Sequence, residues 1–444
     1  MDTIDLKNPT LYINRELSLL EFNRRVIEQA KDENLPLLER LRFLCIASTN
    51  LDEFFEIRVA GLKQQVKYGS TQTGPDNLSP TEVLTRVSET AHQFVEEQYS
   101  VWNDLIIPAM AKDNIRLLRR SQWKSQTSRW IHRYFKDEVL PVLSPIGLDP
   151  AHPFPKVQNK NLYFIISLDG KDAFGRDSGL AIVQAPRSLP RVIPVPAKYS
   201  DGNHDFVMLS SIIHAHVSDL FPGMSVLGCY QFKVTRDSDL FIDDEEIDDL
   251  LRALEGELPS RRFSDAVRLE VADNCPDNLS LFLLQKFGLK QNDLYQVNGP
   301  VNLSRLLAIC DLVDRSELKF AGFTPDIPKR LQKNSNIFDA LHNGDILLHH
   351  PFQSFAPVID FLRQAAADPN VLSIKQTLYR TGVDSAVVEI LKGAARAGKE
   401  VTVVIELRAR FDEEANIELA SELQQAGAHV VYGVVNFKTH AKMI

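Results

Sequence analysis

The segment Phe437-Lys-Thr-His-Ala-Lys442 places a histidine and a lysine two residues apart. On a strand such a pair shares one face, because side chains alternate with a period of two. The combination suits phosphoryl or phosphodiester chemistry: imidazole can attack phosphorus while an ammonium holds a non-bridging oxygen. Alone it means little, since 11 histidines and 50 Lys and Arg in 444 residues produce about one such spacing by chance. Its neighbours give it weight. Arg380 closes one β-branched run, Arg408 and Arg410 follow a second, and Lys438, His440 and Lys442 follow a third. Guanidinium forks match phosphate oxygens bidentately, and lysine adds a compact point charge.

The elements that must bring these groups together are legible. Residues 371–379, 401–407 and 430–435 read as strands, and two helices, 385–397 after Asp384 and 413–426 after Asp412, separate them. Each helix ends in Ala-Gly, at Gly398 and Gly427, where glycine suits a left-handed C′ position. A repeat of this kind predicts right-handed crossovers and a parallel sheet, with ligands beyond the carboxyl ends of the strands. The helix starting near Asp412 would aim its positive end at the same edge. Its acidic first turn, Asp412-Glu413-Glu414, is expected to cap the helix and to pair the arginines when no ligand is bound. Upstream, Asp345-Ile-Leu-Leu-His-His-Pro-Phe352 reads as a short buried strand leading into a loop.

The rest of the chain divides by pattern. Residues 1–112 read as a helical bundle, with apolar stripes at 17–27 and 37–45, a third helix over 51–66, and a capping box at Ser79-Pro-Thr-Glu82. Residues 120–325 read as a mixed α+β domain, with extended runs at 162–168, 180–183 and 231–234 and helices at 210–220, 246–254 and 278–287. Residues 326–444 form the α/β region. The expected fold class is therefore multidomain α and α/β. Four dispersed cysteines form no CxxC pair, which fits a reducing compartment. The first residues make no signal peptide and no stretch could span a bilayer, so a cytoplasmic or peripheral protein is expected. A net charge of −9 argues against non-specific nucleic-acid binding and requires any anion site to be locally cationic.

Longer strings then carry a resemblance. Phe352-Gln-Ser-Phe355, Val371-Leu-Ser-Ile-Lys-Gln-Thr-Leu-Tyr-Arg380, Ala409-Arg-Phe-Asp-Glu-Glu-Ala-Asn-Ile417 and Lys438-Thr-His-Ala-Lys442 resemble bacterial polyphosphate kinase. Tyr12-Ile-Asn-Arg-Glu-Leu-Ser18 and Ala47-Ser-Thr-Asn-Leu-Asp-Glu-Phe-Phe55 resemble the opening domain of that family. The resemblance implies reversible transfer of the terminal phosphate of ATP to inorganic polyphosphate through a phosphohistidine. It implies a first phospholipase D-like α/β domain over 326–444, incomplete here, and His440 as the phosphorylated residue, with Lys442 beside it. Arg380 and Arg410 match basic positions of the Mg²⁺–phosphate site; always protonated, they would bind phosphate, not metal. Asn50 matches a nucleotide-contacting position, although Asn50-Leu-Asp-Glu53 reads equally as a helix N-cap with glutamate at N3. The implied partners are ATP, ADP, Mg²⁺ and polyphosphate, with a homo-oligomer and peripheral contact with the inner membrane.

Members of that family continue beyond the point matching Ile444, through parts that carry a second functional histidine and further phosphate contacts. The chain taken alone is accordingly expected to be truncated, folded at its N-terminal end and catalytically incompetent. Two alternatives stand beside this: a phospholipase D-like phosphodiesterase, and a non-catalytic fragment that assembles with full-length subunits. Other chemistry-bearing residues read as structural. His349-His350 lacks a third ligand at metal-site spacing, and His214 and His216 sit in a helical run where residues two apart diverge. The acidic run Asp239, Asp243, Asp244, Glu245 and Glu246 reads as a solvated helix start.

Overall fold

The computed structural model describes residues 5–149, 152–171, 179–200, 204–238, 263–332, 336–382, 385–433 and 437–444. The helix expected at 246–254, the acidic run at 239–246, the Asp384 cap and residues 434–435 lie outside these. The described residues form two compact units, one of residues 5–238 with 263–321 and one of residues 322–444.

The first unit opens with α1 (Arg15–Lys31), α2 (Leu37–Phe54), α3 (Ala60–Lys67) and α4 (Pro80–Ser100). The capping box forms as expected: Ser79 N–H donates to Glu82 at 2.8 Å while Ser79 Oγ accepts from Glu82 N–H. No helix starts at residue 51. The chain stays helical from Leu37 through a π-turn at Phe55–Val59 and on to Lys67. Asn50-Leu-Asp-Glu53 reads as an N-cap because such polar side chains compete for backbone partners. That competition is resolved locally: Thr49 Oγ1 donates to the Cys45 carbonyl, and Asn50 donates to Asn23. Asn50 is therefore mid-helix, not an N-cap.

Six strands form the main sheet in the order β2 (Pro145–Gly147), β4 (Leu180–Gln184), β3 (Leu162–Asp169), β7 (Ser225–Arg236), β8 (Ala266–Ala272), β9 (Leu294–Val297), antiparallel except for β8–β9. A smaller sheet pairs β1 (Ile115–Leu117) with β6 (His204–Met208) in parallel and β6 with β5 (Val192–Pro194). Strand alternation gives the main sheet two buried faces. Leu162, Phe164 and Ile166 join the core built with the N-terminal helices, whereas Tyr163, Ile165, Phe232 and Leu269 pack against the helix Asp277–Phe287.

Charge is buried on the helical face. Lys233 and Glu270 are register partners on β7 and β8, at 2.5 Å, and Lys233 also meets Asp52 of α2 at 2.9 Å. Arg268 reaches Asp52 at 3.3 Å and Glu270 at 3.1 Å, its guanidinium lying over the rings of Phe55 and Tyr295. All four charged side chains are buried. The Asn-Leu-Asp-Glu-Phe-Phe motif thus anchors α2 to strands about 180 and 216 residues away.

All four cysteines are buried and free. Burial pushes the Cys229 thiol up to about 12 and Cys310 to about 11, and raises Cys45 and Cys275. Because the thiolate is the reactive form, alkylation by iodoacetamide at pH 8 should run about a thousandfold slower at Cys229 and about a hundredfold slower at Cys310 in the native protein than after unfolding. Mass spectrometry checks this, and a cysteine modified at the unfolded rate would contradict it.

In the second unit the expected parallel sheet forms in the order β10 (Ser373–Leu378), β11 (Glu400–Ile405), β12 (His429–Tyr432). The crossover helices are Ala386–Arg396 and Glu413–Gln425. Gly398 and Gly427 adopt φ of +85° and +95°, the left-handed geometry that ends each helix. Two expectations fail here. Residues 345–352 form no strand, and Leu347 is 91% exposed. Their polar groups are met locally instead, His349 N–H by the Gln353 side chain and Gln353 N–H by the His349 carbonyl. Asp412 makes no capping hydrogen bond, because its carboxylate is turned to Arg380.

Candidate active site

Each of the three parallel strands delivers its following residues to one edge of the sheet. Tyr379 and Arg380 leave β10, Glu406 to Arg410 leave β11, and residues 437–444 follow β12. The ends of β10 and β11 are tied by Asn416, buried in the second crossover helix, whose amide donates to the Tyr379 carbonyl at 3.0 Å and to the Glu406 carbonyl at 2.8 Å. Glu406 stands at the end of an apolar strand and is buried. Its two oxygens accept the N–H of Arg408 at 3.0 Å and of Thr439 at 2.7 Å, which pins the loop after β11 to the residue before His440.

The His-x-Lys pair does not lie on a strand. Residues 438–444 have no regular structure and return past β10, where Thr377 Oγ1 donates to the Ala441 carbonyl and Thr377 N–H to the Met443 carbonyl at 3.0 Å. His440 and Lys442 are brought together by an aromatic ring instead. The His440 imidazole sits edge-on to Tyr379 with ring centres 4.8 Å apart, and the ammonium groups of Lys442 and Lys438 lie 4.4 and 5.1 Å from that ring centre. The Lys442 ammonium also donates to the His440 carbonyl at 2.6 Å. Arg380 lies over the same ring at 5.7 Å, pairs with Asp412 at 2.7 Å and donates to the Arg410 carbonyl at 2.8 Å. The expected pairing of an arginine with the acidic turn is present, and Arg380, Arg410, His440 and Lys442 are all exposed at this edge.

Asn50 belongs to the first unit and is half-buried on α2. His350 Nδ1 contacts the Gln353 carbonyl, and His216 closes a helix that ends at Ala215; no group of three or more His, Cys, Asp or Glu among the described residues could hold a metal. Around His440 the exposed groups are cationic, one carboxylate is paired with Arg380 and the other accepts two backbone N–H groups. The residues present suit a phosphate group and make no protein ligand set for Mg²⁺. Sequence reading missed Glu406, Tyr379, Asn416 and Thr377 as site residues. Only Glu406 carried a signal, a carboxylate ending the apolar run Val-Thr-Val-Val-Ile-Glu406.

Removing the Glu406 clamp tests its role. Glu406→Ala strands two backbone N–H groups, at a cost of about 1–3 kcal/mol, and frees the His440 segment, which should slow reaction at His440 about a hundredfold. Glu406→Gln retains one acceptor and should recover part of the loss. Equal rates in wild type and the alanine variant would show that the clamp does not position His440.

Three family models cover most of the chain in sequence order: the polyphosphate kinase N-terminal domain matches residues 12–118, the middle domain 126–309 and C-terminal domain 1 336–444. The chain belongs to the polyphosphate kinase family. It is 58% identical over 439 residues to polyphosphate kinase of Pseudomonas aeruginosa, an alignment covering 99% of this chain and 64% of that protein. Identity is 60% to the Pseudomonas putida polyphosphate kinase, covering 99% and 60%, and 56% to that of Neisseria gonorrhoeae, covering 97% and 63%. The crystal structure of polyphosphate kinase from Porphyromonas gingivalis superposes with a TM-score of 0.79 at 27% identity, over 97% of this chain and 60% of that one. The chain therefore spans about six-tenths of the length of the curated polyphosphate kinases it matches. The helical N-terminal region and the sheets that follow agree with that structure. No described helix is long and apolar enough to cross a membrane.

Proposed function

We propose that this chain carries the nucleophile of an ATP–polyphosphate phosphotransferase, with His440 forming the phosphohistidine. The carrying observation is the placement of an exposed imidazole among Lys438, Lys442 and Arg380 on one tyrosine ring, with its backbone pinned by Glu406. In the first step an imidazole nitrogen bonds the γ-phosphorus of ATP while the bond from phosphorus to the β,γ-bridging oxygen breaks, releasing ADP. In the second, a terminal oxygen of polyphosphate takes the phosphoryl group, the P–N bond breaks and the imidazole is restored. Both steps are reversible.

Lys442 and Lys438 offset the charge on the transferring group, and Arg380 and Arg410 hold phosphate oxygens, Arg380 exchanging Asp412 for the ligand. Mg²⁺ would enter on the nucleotide, with phosphate oxygens as its ligands. Asn50 keeps a side-chain oxygen without a hydrogen-bond partner among the described residues, which suits a contact to the nucleotide. For the whole protein the reading includes self-association, a cytoplasmic location and peripheral membrane contact. The 444 residues alone supply a nucleophile and one cationic wall, and are expected to extend no polymer.

The test is to incubate the full-length protein with ATP labelled at the γ-phosphate, map the label, and chase with unlabelled polyphosphate. An acid-labile label on the peptide holding His440 that moves to the polymer supports the reading. Label on another residue, or label that ATP deposits but polyphosphate never removes, sinks it.

A further inference from the structure

The first unit carries a cationic depression that the proposed chemistry does not use. A helical run of Ser125–Tyr134, continued by a π-turn at Phe135–Val139, buries Thr127, Ile131, Phe135 and Val139 at a four-residue spacing. The outward face holds Arg129, His132, Arg133 and Lys136, all exposed. With His216 they line a shallow depression of about 680 Å³, whose one lining carboxylate is Asp137. His216 is held in place by Phe135, ring centres 4.8 Å apart and stacked, and by its Nδ1 against the Ile212 carbonyl at 3.0 Å. That bond leaves Nε2 as the nitrogen available to a ligand. The His132 and His216 rings are 5.2 Å apart.

Several cations elsewhere on the surface of this unit are matched. Arg24 and Lys31 share Glu97, Lys63 meets Asp293 and Lys67 meets Asp265. Arg129, Arg133 and Lys136 make no ion pair and no side-chain hydrogen bond among the described residues. In a chain of net charge −9, three unmatched cations and two imidazoles on one face are a local reversal of sign.

We propose that this face binds inorganic polyphosphate, as a holding site for the polymer away from the transfer step. The proposal rests on the phosphotransferase reading for the identity of the polymer. From Arg129 to Lys136 the helix rises about 10 Å, so its cations can follow several linked phosphates. Arginine and lysine at one-turn spacing supply bidentate and point-charge contacts to a chain whose charge repeats along its length. No exposed apolar side chain accompanies them, as insertion into a lipid surface would need. A polymer held at a second point presents its end at raised effective concentration, and long chains gain where short ones cannot.

The test compares the full-length protein with the triple variant Arg129→Gln, Arg133→Gln, Lys136→Gln and with a control losing the same charge at Lys7, Lys112 and Lys171. Long-chain sodium polyphosphate should bind the triple variant about tenfold more weakly or worse, with a shallower salt dependence, while tripolyphosphate binding changes little. The control should bind like wild type. Unchanged affinity for long polyphosphate overturns the proposal. So does a variant that keeps this affinity but loses self-association in sedimentation, or binding to phosphatidylglycerol vesicles, since the face would then be a contact between copies or a membrane contact. His440 labelling is read in parallel: if wild type takes no label, the phosphohistidine reading fails while the binding comparison still decides this one.

Discussion

Full-length protein carrying His440→Ala is expected to take no acid-labile phosphate from ATP and to lose polyphosphate synthesis by on the order of 10⁵-fold or more, the scale seen when a nucleophile is removed. The loss should be chemical, not structural. His440 is exposed and its side chain touches the described residues chiefly through an edge contact to Tyr379, so the thermal midpoint should stay near that of wild type. Lys442→Ala gives a graded comparison. It removes one charge that opposes the developing negative charge, worth about 10²–10³ in rate, while leaving the nucleophile. A His440→Ala protein that still labels at the wild-type rate would place the nucleophile elsewhere and end the proposal.

Lys233→Ala should give the largest stability loss of any single change considered for the first unit. The substitution leaves Asp52 and Glu270 facing each other with Arg268 as their remaining counter-charge, inside a core that water does not reach. Breaking a buried pair from one side costs about 3–5 kcal/mol. The exposed Lys67–Asp265 pair, with side chains 63% and 80% accessible, is screened by water and should contribute little by contrast. Urea denaturation of Lys233→Ala beside Lys67→Ala checks the difference, and equal midpoints would mean the network contributes nothing that simple packing does not. The network also sets an acid limit. Burial alone would raise the Asp52 carboxyl, but the adjacent Lys233 and Arg268 charges outweigh it and hold Asp52 below its usual range. A carboxyl depressed in the folded state contributes stability above the unfolded value, lost as pH falls through the folded one. Native protein should therefore keep this contribution down to strongly acid pH.

Local pattern was a sound guide where a segment's structure depends on its own residues. The Ser79 capping box, the two Ala-Gly helix ends and the β-branched strands of the second unit all form where the residue types place them. It misled where a distant partner decides. Asn50-Leu-Asp-Glu53 reads as a helix start, yet Asn23 and the core against α2 keep the helix running through it. Residues 345–352 read as a short strand, yet among the described residues no neighbouring strand completes it.

The same division runs through the site. The order of residues along the chain determined that Arg380, Arg410 and His440 would leave the same edge, because successive parallel strands must all point one way. It also carried the strings by which the polyphosphate kinase family is recognisable. Tertiary structure alone decided that His440 and Lys442 meet on the ring of Tyr379 and not by strand alternation, and that Glu406 holds their backbone. It alone assigned Asp52 to a charge network with Lys233 and Arg268. Each of these contacts joins residues from some 30 to more than 200 positions apart. A carboxylate, an ammonium or a ring looks the same in sequence whether it faces water or a buried partner, and only the packed chain settles which.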